Sequence, residues 1–240
     1  MPFTFSHPAI VFPLTFLPQR WFSLTGLVIG SLMPDFEYFL RMRIQSDFSH
    51  TISGLFWFNL PLGILVAFIF HNIVRNSLLD NLPVILKSRL IKFNQFSWNN
   101  YFKSNWIVVI ISVLIGVFLH LFWDSFTHEN GYFVQIIPAL TNTVNLFGTQ
   151  IPILKILQHS STLTGGFIIV VVLFKLTPNK IIFKKVNTKY WLVVTTITLI
   201  ITFIRLLSGL DFKLYGHVIV TMISALLISL TLTPILIRQK

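Results

Sequence analysis

Cysteine is absent from this 240-residue chain. That excludes disulfides, thiolate metal sites and cysteine nucleophiles, and leaves nitrogen and oxygen as the atoms to ligate a metal. Acids are scarce as well, with seven Asp and Glu against eighteen Lys and Arg. Charged residues of either sign make up only 10% of the chain, too few to clothe a water-soluble domain of this size. Missing too are a glycine-rich phosphate loop, a GxSxG elbow, a dinucleotide fingerprint and any internal repeat of the kind common in secondary transporters. The net charge of +11 is spread over short segments, with no basic domain long enough to bind nucleic acid.

Long apolar runs are what the chain has in abundance. It is 54% hydrophobic with a mean hydropathy of +0.79, the signature of a polytopic membrane protein. The fold class expected is all-α, a transmembrane helical bundle of about five full spans. These spans read as Thr51–Val74 with a kink at Pro61, Ile107–Phe126, Ile156–Leu176, Tyr190–Leu210 and Gly216–Ile237. Residues 1–34 are broken by Pro2, Pro8, Pro13 and Pro18 and lack the positive start of a signal peptide, so this segment is expected to stay in the mature protein. Trp21–Met33 reaches only about 20 Å as a helix and reads as a short re-entrant or interfacial helix.

Basic residues set the expected orientation. Twelve of the eighteen lie in 75–105, 175–189 and the C-terminus, the last two groups including Lys180, Lys184, Lys185, Arg238 and Lys240. Placing these segments in the cytoplasm predicts a multi-pass protein of the bacterial cytoplasmic membrane with a cytoplasmic C-terminus. Residues 1–176 form the part that carries chemistry, and 177–240 a C-terminal helix pair acting as scaffold.

Chemistry concentrates at Gly116–His128, where His120, Asp124 and His128 follow at four-residue steps and share one helix face. A carboxylate in a membrane-length helix costs about 2.5–3.5 kcal/mol at mid-bilayer, so it reads as paired or functional. Following the spans alternately, His50, His120, Asp124, His128 and His159 arrive at the outer mouth, with Asp35 and Glu37 just before the Thr51 span. His7 joins them if the proline-broken N-terminus folds back. Imidazoles and carboxylates are the ligands of zinc, manganese and iron, so His7, Asp35, His50, His120, Asp124, His128 and His159 are the candidate metal ligands. They are enough for one or two ions, and Asp35 and Glu37 are the candidate catalytic residues, Glu37 or an unligated Asp serving as general base. Plainer readings stand beside this one: helix-start chemistry for Asp35 and Glu37 with Pro34 in the first turn, an interfacial role for His71, and a proton relay or interhelical hydrogen bond for His120 with Asp124. Gly131 reads as the stop of the ligand-bearing helix.

The blocks MPFTFSHP (Met1–Pro8), IGSLMPDFEYFLR (Ile29–Arg41), Ser49-His50, HLFWDSFTH (His120–His128) and LQHSS (Leu157–Ser161) resemble, in order and spacing, the bacterial domain-of-unknown-function 4184 family. More distantly, the ordered His, Asp, His, His-x3-Asp, His pattern resembles the LexA-regulated inner-membrane metal-dependent hydrolases and the zinc-dependent phospholipase C and S1/P1 nuclease superfamily. That second resemblance implies a helical phosphoesterase using metal-activated water, with His120 and Asp124 on the His-x3-Asp helix and His7, Asp35, His50 and His128 matching by order. The chain departs from those secreted enzymes in having no N-terminal Trp ligand and in placing Leu163 where the position four beyond His159 calls for an acid. One or two ions are therefore expected rather than three. The function expected is a membrane-embedded, metal-dependent hydrolase of lipid or lipid-linked phosphoesters. A transporter or proton-handling protein, or a metal-stapled structural protein, is the alternative.

Overall fold

The computed structural model describes residues 3–179 and 186–237. Met1 and Pro2 of the opening motif, and Lys180, Lys184, Lys185, Arg238 and Lys240 of the charge count, lie outside the described residues. The chain is all-α apart from one small hairpin. A 3-10 segment, Thr4–Phe16, leads to α1 (Leu24–Gly30), α2 (Met33–Arg41), α3 (Ile52–Asn81), α4 (Val84–Leu90), α5 (Trp98–Asp124), α6 (Tyr132–Ile136), strands β1 (Thr143–Leu146) and β2 (Thr149–Pro152), α7 (Ile153–Lys175), α8 (Thr188–Leu207) and α9 (Tyr215–Leu236). Five of these helices, α3, α5, α7, α8 and α9, are long and apolar enough to cross a membrane.

Two compact units divide the fold. The first comprises residues 1–34, 49–64 and 105–172. Its core is the seam between α1 and α5, where Leu27 meets a stripe of Val109, Val113 and Val117 at four-residue spacing, all four fully buried. Glycines let the two backbones touch: a Cβ at Gly26 would lie 2.8 Å from the Cβ of Ser112, and Cβ atoms at Gly30 and Gly116 would run into the carbonyls of Val113 and Leu27. Ser23 N–H donates to Ser112 Oγ at 2.7 Å, pinning the start of α1 to α5.

Pro8 and Pro13 cannot donate to a helix ladder, so Thr4–Phe16 is bound by its neighbour instead. Phe3 N–H donates to Thr162 Oγ1 at 3.0 Å and Ser6 Oγ to the Thr162 carbonyl at 2.9 Å, while Gly165 leaves room for Ser6 against α7. His7 is buried by this folding back.

The short N-terminal helix is not one run from Trp21 to Met33. It ends at Gly30, and α2 restarts at Met33 with Pro34 in its first turn. The kink expected at Pro61 takes the form of a π-type turn, Leu55–Asn59, just before it, which places Asn59 inside the unit. The hairpin was not anticipated in the 132–155 loop. Its two-residue turn has positive φ at both Phe147 (52°) and Gly148 (83°), as a right-twisted hairpin requires.

The second unit comprises residues 35–48, 65–104 and 173–240. Small residues of α9, Ser224, Ala225, Ser229 and Thr233, are buried, and Thr198 Oγ1 of α8 donates to Ser229 Oγ at 2.9 Å. Such close, polar-stitched seams are how helices associate in lipid. Asn81 closes the unit from α3, its carbonyl accepting Trp191 Nε1–H at 2.7 Å.

Candidate metal centre

Helix α5 carries His120 and Asp124 one turn apart at its final turn, and it ends at Asp124 itself. His128 therefore lies in the turn beyond the helix rather than on it. Its N–H still donates to the Asp124 carbonyl at 3.1 Å, so the three residues remain neighbours. Gly131 is not the stop of α5; it is needed because a Cβ there would run into the Ser125 carbonyl.

Four imidazoles of the first unit surround the Asp124 carboxylate. His120 Nε2 lies 3.3 Å and His50 Nε2 3.7 Å from Oδ2, His7 Nε2 3.6 Å from Oδ1, and His128 Nδ1 3.8 Å from Oδ2. The rings of His7 and His120 are stacked, centroids 3.7 Å apart. Helix α2 starts within this unit at Met33 and Pro34, and its next residue, Asp35, is fully buried. One ligand atom from each of His50, His120 and Asp124 falls within 4.8 Å of the others, while Asp35 opens the second unit.

The tautomers follow from outer hydrogen bonds. His120 Nδ1 is 2.7 Å from the Ser31 carbonyl in the break between α1 and α2, so Nδ1 carries the proton and Nε2 presents a lone pair. Ser49 Oγ donates its single proton to the Pro34 carbonyl at 2.6 Å and accepts from His50 Nδ1 at 3.1 Å, which again leaves His50 Nε2 as the acceptor. Asn59 fixes Ser49 in turn, Nδ2 donating to its carbonyl at 2.6 Å. His128 Nδ1 donates to the Asp124 carbonyl at 3.0 Å. The Nε2 atoms of His50 and His120 thus face the buried Asp124 carboxylate. Acceptor facing acceptor is repulsive unless a cation or a proton lies between them. Tetrahedral ligands at 2.0–2.2 Å from zinc sit about 3.3–3.6 Å apart, close to the separations around Asp124. Nitrogen and oxygen donors held by the Ser31 and Asp124 carbonyls and the Ser49 hydroxyl suit a divalent cation.

Burial holds the His7 imidazole well below its ordinary value of 6.5, with the stacked His120 adding to the shift. Burial also lowers His128. Unfolded, these rings take a proton near 6.5; folded, they take it only at lower pH. The stability tied to burying them neutral is therefore complete above 6.5 and is lost as pH falls toward the folded values. We expect the melting temperature of the chelator-treated protein to be flat above about pH 7 and to drop below about 6.5; a melting temperature that rises on acidification would contradict this assignment.

Glu37, expected as a base, is buried and engaged on both oxygens. Oε1 accepts from Arg41 Nε at 2.9 Å and the Asp47 N–H at 3.0 Å; Oε2 accepts from the Phe48 N–H at 3.0 Å and Ser46 Oγ at 3.3 Å. It organises the 42–48 loop. Glu37→Ala deletes the buried acceptor of these four hydrogen bonds and leaves the Asp47 and Phe48 amides without it, so it is expected to be among the most destabilising substitutions of the second unit, read as a fall in melting temperature in detergent. His159 is exposed on α7 and is not a member of the group of four, and His217 Nδ1 accepts from the Ile44 N–H at 3.3 Å in the second unit.

Ser31 and Asn59, which buttress the group, were not singled out by sequence, whereas Ser49 stood in the Ser49-His50 block without a role assigned to it.

Fold and site together define a multi-pass membrane protein with a buried His/Asp group that can bind a metal ion. The model of the family described as domain of unknown function (DUF4184) matches residues 1–235, and the chain belongs to that family. No curated protein and no solved structure matches it.

Proposed function

We propose that this protein is a metal-dependent hydrolase of phosphoesters, working at the outer boundary of the bacterial cytoplasmic membrane on lipid or lipid-linked substrates. The observation that supports it is the meeting of His50 Nε2 and His120 Nε2 with the buried Asp124 carboxylate. His50, His120 and Asp124 hold the ion, with Asp35 the further ligand that the sequence pattern offers, and His7 and His128 flank it on the same carboxylate. A divalent ion, zinc first and manganese or iron as alternatives, supplies water activation and phosphoryl polarisation at such a site. Ser31 and Ser49 hold the ligating rings in one tautomer. His7, neutral at pH 7 and 3.6 Å from Asp124 Oδ1, is placed to take a proton from the attacking water. Glu37 is a positioning residue, and residues 177–240 are scaffold with a cytoplasmic C-terminus.

Transport is the weaker reading. Val108–Leu119 of α5 and Leu163–Phe174 of α7 contain no ionisable residue, so no polar path continues from the group along these helices.

The test is hydrolysis of bis(p-nitrophenyl) phosphate and of phosphatidic acid in mixed micelles by the purified full chain. Activity that depends on added zinc or manganese and is lost in His120→Ala supports the proposal. Tight metal binding without hydrolysis of either substrate overturns it.

A further inference from the structure

A half-open cavity of about 420 Å³ lies in the first unit, between the Thr4–Phe16 segment and α7. Its apolar wall is built by Ile10, Pro13, Leu157 and Ile168. Four hydroxyl-bearing residues line it too, and three of them are already used: Ser6 Oγ donates to the Thr162 carbonyl, and Ser160 and Ser161 donate to carbonyls of their own helix, leaving Thr164. The surface offered is therefore mainly hydrocarbon. Helix α7 is a membrane-length helix, and Leu163 and Phe167 beside the cavity are exposed as lipid-facing residues are.

Two lining residues join this cavity to the metal centre. His7 forms part of the lining while its Nε2 lies 3.6 Å from Asp124, and Trp123, also in the lining, directly precedes Asp124 on α5. An apolar groove that opens among membrane helices and shares a residue with a site proposed to hold a divalent cation matches an amphiphile whose tail is hydrocarbon and whose anionic head meets that cation.

We propose that this groove holds one hydrocarbon chain of a phosphate-bearing lipid, with the head group directed past His7 to the His/Asp group. The inference rests on the hydrolase reading for what happens to the head group, but not for where the chain sits. The groove, rather than the metal ligands, then decides which phosphoesters are accepted.

The full chain in detergent is irradiated with phosphatidic acid carrying a diazirine in one acyl chain and, in a second arm, with a diazirine-bearing polyprenyl phosphate. Labelled peptides are mapped by mass spectrometry. Label is expected on Ile10 and Ile168 in at least one arm, and the stronger arm identifies the chain type. Ile168→Trp, or Thr164→Phe if the first variant folds poorly, is expected to cut that labelling by about tenfold. Val170→Trp, exposed on α7 outside the groove, leaves it unchanged. Diffuse label along α7, indifferent to groove filling in both arms, would overturn the proposal. Metal content and bis(p-nitrophenyl) phosphate hydrolysis in the same samples report separately on the hydrolase reading.

Discussion

Asp124→Ala is expected to lower divalent-metal affinity by more than about 100-fold, because losing a residue that only hydrogen-bonds to a ligand already costs about 10–100-fold. Asp124 is the residue around which His7, His50, His120 and His128 gather at 3.3–3.8 Å. Without it the four rings have no shared anion. The competing physical account has no metal and makes one imidazole an imidazolium paired with Asp124. Under that account Asp124→Ala leaves a buried cation unpaired, and stability falls with no change in metal content. Chelator competition with zinc, followed alongside the melting temperature, separates the two. Our account requires affinity to fall in the variant and the stabilisation by added zinc, present in the wild type, to vanish.

Gly30→Val is expected to destabilise the first unit by about 3 kcal/mol or more and to lose the metal with it. The new Cβ would run into the Val113 carbonyl, part of α5 backbone that cannot rotate away. Relief requires α1 to lift from α5. The adjacent Ser31 carbonyl, 2.7 Å from His120 Nδ1, moves with it and releases the ring. A substitution several bonds from any ligand therefore acts on affinity as well as stability. Val28→Ala, on the same helix but away from the glycine contacts, serves as the control expected to keep its metal, and equal metal loss in both would count against the coupling.

The membrane helices were legible because a span announces itself by length and hydropathy, and five were expected and five are found. The meeting of His50, His120 and Asp124 was legible too, since helical spacing and alternate crossing bring them to one end. Other features depend on backbone detail that residue patterns do not carry. The break after Gly30 frees a carbonyl for His120; the glycine marks a helix stop, but residue patterns do not show that the Ser31 carbonyl then meets α5. The Phe147-Gly148 turn lacks the Asn-Gly or Asp-Gly signal of a two-residue hairpin. Glu37 looked like a second acid for the centre because sequence shows its distance from Asp35 but not the loop amides that occupy it. His159 illustrates the converse: its position at the head of a span is as suggestive as that of His50, yet it is Gln158 that the helix turns inward.

The central claim is that the His/Asp group binds a divalent metal. Elemental mass spectrometry of the full chain, purified in detergent without chelator, tests it most directly. The account predicts zinc, manganese or iron at roughly one to two ions per chain, lost in a His120→Ala, Asp124→Ala double variant that still elutes as a folded species. Metal-free wild-type protein that also takes up none of the three ions when they are added would contradict it.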